Sequence, residues 1–427
     1  MGTIINLEVE GVSLDWAKNG MGMDHGALFQ EGDRTHRTPD KTNYDNQGDD
    51  EDEGPSIADA AFVRSLSRVV PRLDLLGSTL AAARAEYESL IQDTEEIRDH
   101  VPSELIAPNL MTFDEYCEFV CRFPLSALDD AFVDFNAEDR DWLSKGRFVG
   151  LEAEMSRLPV GADFDSFWSE KSYFGAKVCV LSAYSMMQVL ALCPNNADAE
   201  VVWQYGPMVE SGWVDEESYA PGAPRGHEVL IVTEGSSDAR ILVHALRLLR
   251  PDISDFFRFI DVELSHPFWG TGNLVKFAEG LLRIDVLNRI LFVLDNDAEG
   301  IDALNRLKRL GLPSNIRGIA LPDDDALRDF PALGPEGSRK SNINGRAAAI
   351  ECYLDLRLGD YPPPSVTWTN YKKDLGLWHG ALDHKETYMR AFLSQTPESI
   401  RTGNYDVSKL ARVVDLIVRE AALLMND

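Results

Sequence analysis

The sequence predicts two structural parts: a mainly helical N-terminal region with a small β element at its start, and a C-terminal α/β domain with a Rossmann-like parallel sheet flanked by helices. The helical prediction comes from residues 61–99, where apolar residues recur at intervals of three and four. The α/β prediction comes from two short apolar runs, 229–233 and 290–294, that each stop in acidic residues. A continuous apolar run of about five residues is typical of a parallel strand buried on both faces.

The N-terminal part begins with a predicted β element and an acidic linker over residues 1–55. Ile4, Leu7 and Val9 precede an Asn19-Gly20 turn, and residues 49–53 are all acidic. A helical domain is predicted over 56–225, with Ser56 as a helix N-cap and Pro71 dividing or kinking the first helix. Further helices are predicted at 113–121, 139–143, 164–168 and 175–192.

Acidic residues follow both predicted parallel strands. Glu234 and Asp238 follow the first strand, and Asp295 and Asp297 follow the second. Since parallel strands open at their carboxyl ends into the crevice where α/β folds carry their chemistry, these carboxylates should converge. Carboxylates in one crevice repel one another unless a cation is present, and their hard oxygen atoms suit Mg²⁺ or Mn²⁺. The alternative for Asp238 and Asp297 is that each only caps the helix that follows it.

The same motifs resemble the Toprim domain of topoisomerases, primases and the overcoming-lysogenization-defect (OLD) family of nucleases. Glu234-Gly, Asp238 and Asp295-x-Asp297 occur in the order of the OLD-type branch, and Gly270-Thr-Gly272 stands where a glycine-rich turn often occurs. Residues 345–354 resemble the helix that carries an additional acidic ligand, here Glu351. Lys385 stands about where that branch has a catalytic lysine. The resemblance covers roughly 226–395.

The resemblance implies a Toprim-like catalytic domain over 226–400, followed by a C-terminal amphipathic helix within 401–427. It also implies one or two Mg²⁺ or Mn²⁺ ions and a set of site residues. The implied metal ligands are Glu234, Asp238, Asp295, Asp297 and Glu351, and the implied catalytic residues are Glu234, Asp295, Asp297 and Lys385. A topoisomerase is disfavoured, because it needs a tyrosine nucleophile held on a gate and a larger DNA-handling apparatus.

The N-terminal part, with Lys18-Asn-Gly20 and residues 28–33, resembles the HEPN/Toprim-associated proteins, whose HEPN domains are small helical bundles. Many HEPN domains are ribonucleases with an arginine, four to six residues and a histidine. The helical region contains no such pair. We therefore expect dimerisation, substrate positioning or the sensing of a partner rather than RNA cleavage. The sequence also has no Gly-x-x-x-x-Gly-Lys-Ser/Thr loop, so an ATP-driven mechanism is not expected.

The net charge of −30 excludes binding of nucleic acid by bulk charge, because that affinity depends on lysine and arginine neutralising phosphates. A local basic surface is needed, or the same residues are simply solvated charges. The candidates for this surface are Arg306, Lys308, Arg309, Arg339, Lys340, Arg346, Lys372 and Lys373. No apolar run approaches the roughly 20 residues that span a bilayer. The five cysteines and the absence of a signal sequence predict a cytoplasmic protein, with Cys117 and Cys121 as core residues.

Together these observations predict a divalent-metal-dependent nuclease that hydrolyses phosphodiester bonds, with DNA favoured over RNA and a role in bacterial defence against phage or mobile elements. A second copy of the chain or another protein is the expected partner, and no membrane is expected. The alternative is a non-catalytic metal- or nucleotide-binding sensor. Divalent-metal dependence separates the two, because a sensor has no cleavage activity to lose.

Overall fold

A computed structural model describes residues 2–37, 56–97, 109–131, 146–159, 168–260, 270–335, 337–359, 361–372 and 376–425. The chain divides into two compact units, Met1–Ala223 and Pro224–Asp427. The predicted acidic linker and the helix predicted at 139–143 lie outside the described residues, as does nearly all of the one predicted at 164–168. Among the described residues, no helix combines the length and the apolar content needed to cross a bilayer.

The first unit contains a five-stranded antiparallel sheet in the order β2-β1-β5-β4-β3. Its strands are β1 (Ile4–Val9), β2 (Val12–Lys18), β3 (Arg34–His36), β4 (Ala60–Ser65) and β5 (Glu200–Trp203). The prediction of a mainly helical region after residue 55 is therefore wrong for β4 and β5. β4 lies between β3 and β5, and most of its residues are buried. A strand covered on both faces loses the alternation that would have distinguished it from the start of a helix.

The helices of the first unit pack around that sheet. Within the described residues they are α1 (Leu66–Leu75), α2 (Leu80–Ile97), α3 (Phe113–Cys121), α4 (Glu152–Met155), α5 (Glu170–Val178), α6 (Ala183–Leu190) and α7 (Gly206–Glu210). The helix predicted at 113–121 is confirmed, and Thr112 caps it. The prediction of a single helix over 175–192 is wrong, because the helical conformation is interrupted between α5 and α6. Glu86 accepts hydrogen bonds from the Ser182 backbone N–H at 2.6 Å and hydroxyl at 2.9 Å, which fixes a new helix start there.

The second unit contains the predicted parallel sheet, with strands in the order β10-β8-β6-β7. The strands are β6 (Val229–Thr233), β7 (Phe257–Phe259), β8 (Arg289–Leu294) and β10 (Ile316–Ala320), and the helices after them are α8 (Ser236–Leu249), α9 (Thr271–Arg283) and α10 (Ala298–Arg309). The strands predicted at 229–233 and 290–294 are confirmed. Val232, Phe292 and Leu307 are among the buried residues of one apolar core in this unit.

A mixed sheet, β12-β11-β14-β15, and a two-stranded pair, β13-β9, complete the second unit. These strands are β9 (Asn296–Asp297), β11 (Phe330–Gly334), β12 (Gly337–Ser341), β13 (Ala347–Ala348), β14 (Val366–Lys372) and β15 (Leu377–Leu382). The remaining helices are α11 (Lys385–Leu393), α12 (Pro397–Arg401) and α13 (Ser408–Leu423). The predicted amphipathic C-terminal helix is confirmed by α13, which buries Leu410, Val413 and Ile417.

The prediction of a helix over residues 345–354 is wrong. Gly345 has a positive φ of 70°, β13 pairs with β9, and Ile350–Tyr353 forms a short 3-10 turn. The backbone N–H of Gly345 bonds the carbonyl oxygen of Asn296 at 2.9 Å, so pairing with β9 draws this segment into extended structure. Glu351 therefore lies on a tight turn beside β9 rather than on a helix.

Candidate functional site

Glu234 and Asp295 lie side by side where two neighbouring parallel strands end. β6 and β8 pair in register, with Thr233 opposite Val293, so the next residues of both strands emerge at the same edge of the sheet. The backbone N–H of Asp295 donates a hydrogen bond of 3.0 Å to Oε1 of Glu234. The sheet register therefore holds these two acidic residues together.

Asp238 and Asp297 each accept a hydrogen bond at a helix N-terminus, and both belong to a group of carboxylates, here called the acidic cluster, that also contains Glu234, Asp295 and Glu351. Asp238 is the third residue of α8, and its Oδ2 accepts a 2.8 Å hydrogen bond from the N–H of Gly235, which precedes the helix. Oδ1 of Asp297 accepts from the N–H groups of Glu299 at 2.9 Å and Gly300 at 2.7 Å at the start of α10. The capping alternative is therefore confirmed for Asp297, whereas Asp238 lies inside α8 and the alternative that it caps a following helix is wrong. The hydrogen bonds fix one oxygen of each carboxylate. The second oxygen of Asp297 lies 3.7 Å from Nδ1 of His379.

Glu351 reaches the same cluster from a third segment of the chain. β13 pairs with β9, so Ala347 lies opposite Asp297, and the 3-10 turn with Glu351 follows directly. The Ile350 N–H donates to Oδ1 of Asp295 at 2.9 Å, which ties that turn to the end of β8. Glu351 is only 2% exposed. Five acidic residues from three chain segments therefore share one buried region.

Burial and mutual repulsion shift the protonation of these carboxyl groups. Burial, followed by the charge of Asp297, raises the pKa of Glu234 to about 8. Burial and the nearby Glu351 raise the pKa of Asp238 to about 6. Burial is also the main cause that holds the pKa of Asp295 well above its usual range and raises the pKa of Asp297. Without a compensating cation, part of this cluster holds protons at neutral pH.

Two lysines and a histidine lie around the acidic cluster. Lys385, the exposed first residue of α11, counteracts the raised pKa of Asp238 by its charge. Nζ of Lys372 donates to Glu299 at 2.5 Å, and this ion pair lowers the pKa of Glu299. His379 on β15 faces Asp297, and its Nδ1 is buried without a hydrogen-bond partner among the described residues.

Sequence reasoning missed His379 and the pairing of Lys372 with Glu299. His379 is 82 positions after Asp297 along the chain, and no local motif links the two residues. The packing of β15 beside β13, the strand that pairs with β9, brings the two residues together. Only knowledge of this tertiary packing could have found the contact.

Gly300 lets the first turn of α10 approach the cluster closely. A Cβ atom at this position would lie 2.2 Å from the backbone oxygen of Asp295 and 2.9 Å from Oε1 of Glu234. Both distances are too short for a carbon atom, and the backbone oxygen cannot rotate away as a flexible side chain would. Any residue larger than glycine at position 300 would therefore collide with the site.

The donor chemistry of the cluster fits a hard divalent cation. All five predicted ligands supply carboxylate oxygen, which Mg²⁺ and Mn²⁺ prefer over nitrogen or sulfur. Within the part of the chain that the structure describes, no group of three or more histidine, cysteine, aspartate or glutamate side chains already has the arrangement of a metal site. The fit therefore concerns donor type and burial rather than a finished coordination sphere.

Comparison with known families gives a match that covers the first unit. The family described as HEPN/Toprim N-terminal domain 1 matches residues 1–227 of the 427-residue chain. No curated protein and no solved structure gives a significant match to the chain. The match ends before β6, so the likeness of residues 226–395 to the OLD-type Toprim domain stays a prediction. The chain belongs to the HEPN/Toprim N-terminal domain 1 family.

Proposed function

We propose that this protein is a divalent-metal-dependent nuclease that hydrolyses nucleic-acid phosphodiester bonds in its second unit. The observation that carries the proposal is the convergence of Glu234, Asp295 and Glu351 from three chain segments. Their segments are joined directly by the hydrogen bonds from the Asp295 N–H to Glu234 and from the Ile350 N–H to Asp295. The raised pKa values of Glu234 and Asp238 support the proposal, because like charges are held together where a cation would relieve their repulsion.

The carboxylates of Glu234, Asp238, Asp295, Asp297 and Glu351 would hold Mg²⁺ or Mn²⁺. Such an ion supplies a water-derived nucleophile and neutralises charge on the phosphate. Backbone and side-chain groups of the protein orient the carboxylates before any ion binds. Backbone N–H groups fix one oxygen of most of these carboxylates, and burial keeps bulk water away from them. Lys385 would stabilise the negative charge that develops on the phosphate.

The family assignment supports the proposal, because its name associates the first unit with HEPN and Toprim domains. We extend this to a Toprim-like fold for residues 226–400, with an HEPN-like domain over 56–225 and a C-terminal helix within 401–427. Fold-level analogy further favours a role in bacterial defence against phage or mobile DNA, with DNA favoured over RNA. A second copy of the chain or another protein remains the proposed partner.

The test is cleavage of single- and double-stranded DNA and RNA with Mg²⁺, with Mn²⁺ and with chelator. The native chain is compared with an Asp295→Asn/Asp297→Asn variant, which removes two charges and keeps side-chain size. An Asp302→Asn/Asp415→Asn variant removes two charges elsewhere in the same unit. We expect metal-dependent cleavage by the native chain and the second variant, and loss of at least a hundredfold with the first. Metal binding without cleavage of any substrate would overturn the nuclease and favour the sensor.

A further inference from the structure

The mixed sheet β12-β11-β14-β15 has one buried face and one open face. Strand register assigns side chains to faces, because residues directly opposite each other point the same way and neighbours along a strand alternate. Leu333 lies opposite both Ser338 and Thr367, and Thr367 lies opposite Ala381. The open face comprises Ser338, Lys340, Pro331, Leu333, Thr367, Asn370, Lys372, Leu377, His379 and Ala381.

Packing separates the two faces. On the other face, Phe330, Ala332, Val366, Gly380 and Leu382 are buried, and the exposed residues Arg339, Tyr371 and Trp378 lie toward its ends. On the open face, Lys340, Ser338, Asn370 and Ala381 are exposed, and even the apolar Leu333 is 48% exposed. The open face is therefore uncovered around Ser338, Lys340 and Leu333, and the second unit covers it only in part where His379 and Lys372 meet Asp297 and Glu299.

The open face extends from Lys340 on its edge strand β12 to the acidic cluster beside β15. Lys340 stands on the edge strand β12 and forms no ion pair with the described residues. β15 lies three strand spacings, about 14 Å, from β12, and its His379 is offset by a further four residues, about 13 Å, along the strand, so about 20 Å separates Lys340 from the residue that contacts Asp297. On the adjoining strand β14, Lys372 contacts Glu299. The carboxylate of Asp383, which follows β15, accepts hydrogen bonds from the hydroxyl groups of Ser365 and Thr367.

We propose that this open face binds a single strand of nucleic acid and guides it into the acidic cluster, with a phosphate group on Lys340. The inference rests on the proposed nuclease function and names its substrate class and binding surface. In a chain with a net charge of −30, a lysine that has no ion-pair partner among the described residues supplies the local attraction that a polyanion needs.

The depth of the acidic cluster favours a single strand over a duplex. Glu351 is 2% exposed and Asp238 is 9% exposed, so the reacting phosphodiester must enter a crevice rather than touch a surface. A single strand can bend at each backbone linkage and bring one phosphate inward. A stacked duplex must first give up pairing and stacking energy to do so.

The adjacent arginine on the same strand provides a matched control. Arg339 and Lys340 are neighbours on β12 and both are exposed, but Arg339 lies opposite Ala332 and so belongs to the other face. Lys340→Gln and Arg339→Gln each remove one positive charge from the same exposed strand. Only the first should remove a contact with a strand on the open face.

The experiment measures binding of a fluorescein-labelled oligodeoxythymidine of about 12 nucleotides, within the usual site size for single strands. Fluorescence anisotropy is recorded over a salt series with Ca²⁺ in place of Mg²⁺, so that affinity is read without cleavage. With Lys340→Gln we expect about fivefold weaker binding at 0.1 M salt and a log–log salt slope that is shallower by about 0.7. With Arg339→Gln we expect both values to match the native chain, and a duplex of equal length should bind more weakly.

Equal losses in the two variants, or none in either, would overturn the inference while leaving metal-dependent cleavage untouched. Tighter binding of the duplex than of the single strand would overturn the inference that the open face binds a single strand. Failure of the native chain to bind or cut any nucleic acid would instead refute the proposed function itself. Thermal unfolding of both variants checks that these exposed substitutions leave the fold unchanged.

Discussion

The protonation of Glu234 links the candidate site to the stability of the second unit. Its pKa is raised from an ordinary 4.5 to about 8, mainly by burial and then by the charge of Asp297. The folded chain therefore keeps this proton up to about pH 8, whereas the unfolded chain loses it near pH 4.5. Since the folded state binds more protons over this range, its stability falls as pH rises from about 4.5 to about 8.

The size of the Glu234 pKa shift determines how much stability the second unit loses with rising pH in the absence of metal. Ionisation of Glu234 should lower the free energy of unfolding by about 3 kcal/mol at pH 7 and about 4 kcal/mol at pH 8, relative to pH 4. Glu234→Gln is neutral at every pH, and its amide oxygen can still accept the hydrogen bond from the Asp295 N–H. We expect equal stability of the two chains near pH 4.5, and a variant more stable by about 4 kcal/mol at pH 8.

Native-state hydrogen exchange of the β8 amides in the presence of chelator reports this free energy for the second unit alone. Glu279→Gln on α9 serves as a control that removes a glutamate elsewhere in the unit. Addition of Mg²⁺ should stabilise the native chain at pH 8 and have less effect on Glu234→Gln, because a ligand that binds only the folded state stabilises it. If native and Glu234→Gln chains show the same pH dependence, the reasoning about buried repulsion at this site is refuted.

Two further substitutions test how neighbouring elements hold the site. Gly300→Ala should destabilise the second unit by about 1–3 kcal/mol and abolish cleavage, because its Cβ would collide with the Asp295 backbone oxygen. Gly280→Ala, where a Cβ meets nothing within 4 Å, should be neutral or stabilise α9 by up to about 1 kcal/mol; equal thermal shifts would contradict the steric argument. Lys409 donates a hydrogen bond of 2.7 Å to the carbonyl oxygen of Cys352 and so positions the turn that contains Glu351. Lys409→Met should therefore weaken Mn²⁺ binding by about tenfold in a calorimetric titration. Unchanged Mn²⁺ affinity would exclude this positioning role.

The parallel strands could be predicted from sequence because their signal is local. β6 and β8 are continuous apolar runs that end in acidic residues, and burial on both faces needs no partner to be recognised. The register of parallel strands then brings Glu234 and Asp295 to one edge, as expected for α/β folds. This part of the candidate site follows from residues that are close together along the chain.

The elements that were mispredicted depend on distant pairing. β4 is extended because β3 and β5 flank it, although its apolar residues also suit the start of a helix. β13 is extended because it pairs with β9, although an alanine-rich segment has high helix propensity. His379 contacts Asp297, 82 positions earlier in the chain, only because β15 packs beside β13, the strand that pairs with β9. Tertiary contacts override local preference at each of these places.

Binding of Mn²⁺ to the purified chain, followed by electron paramagnetic resonance, tests the central claim most directly. The native chain at pH 7.5 should bind one or two ions. The Asp295→Asn/Asp297→Asn variant should lose this binding, and the Asp302→Asn/Asp415→Asn variant should keep it. Release of protons on metal addition should accompany binding, because the pKa of Glu234 is raised to about 8. Equal Mn²⁺ binding by all three chains, or none by the native chain, would contradict a metal site at the carboxyl edge of the parallel sheet.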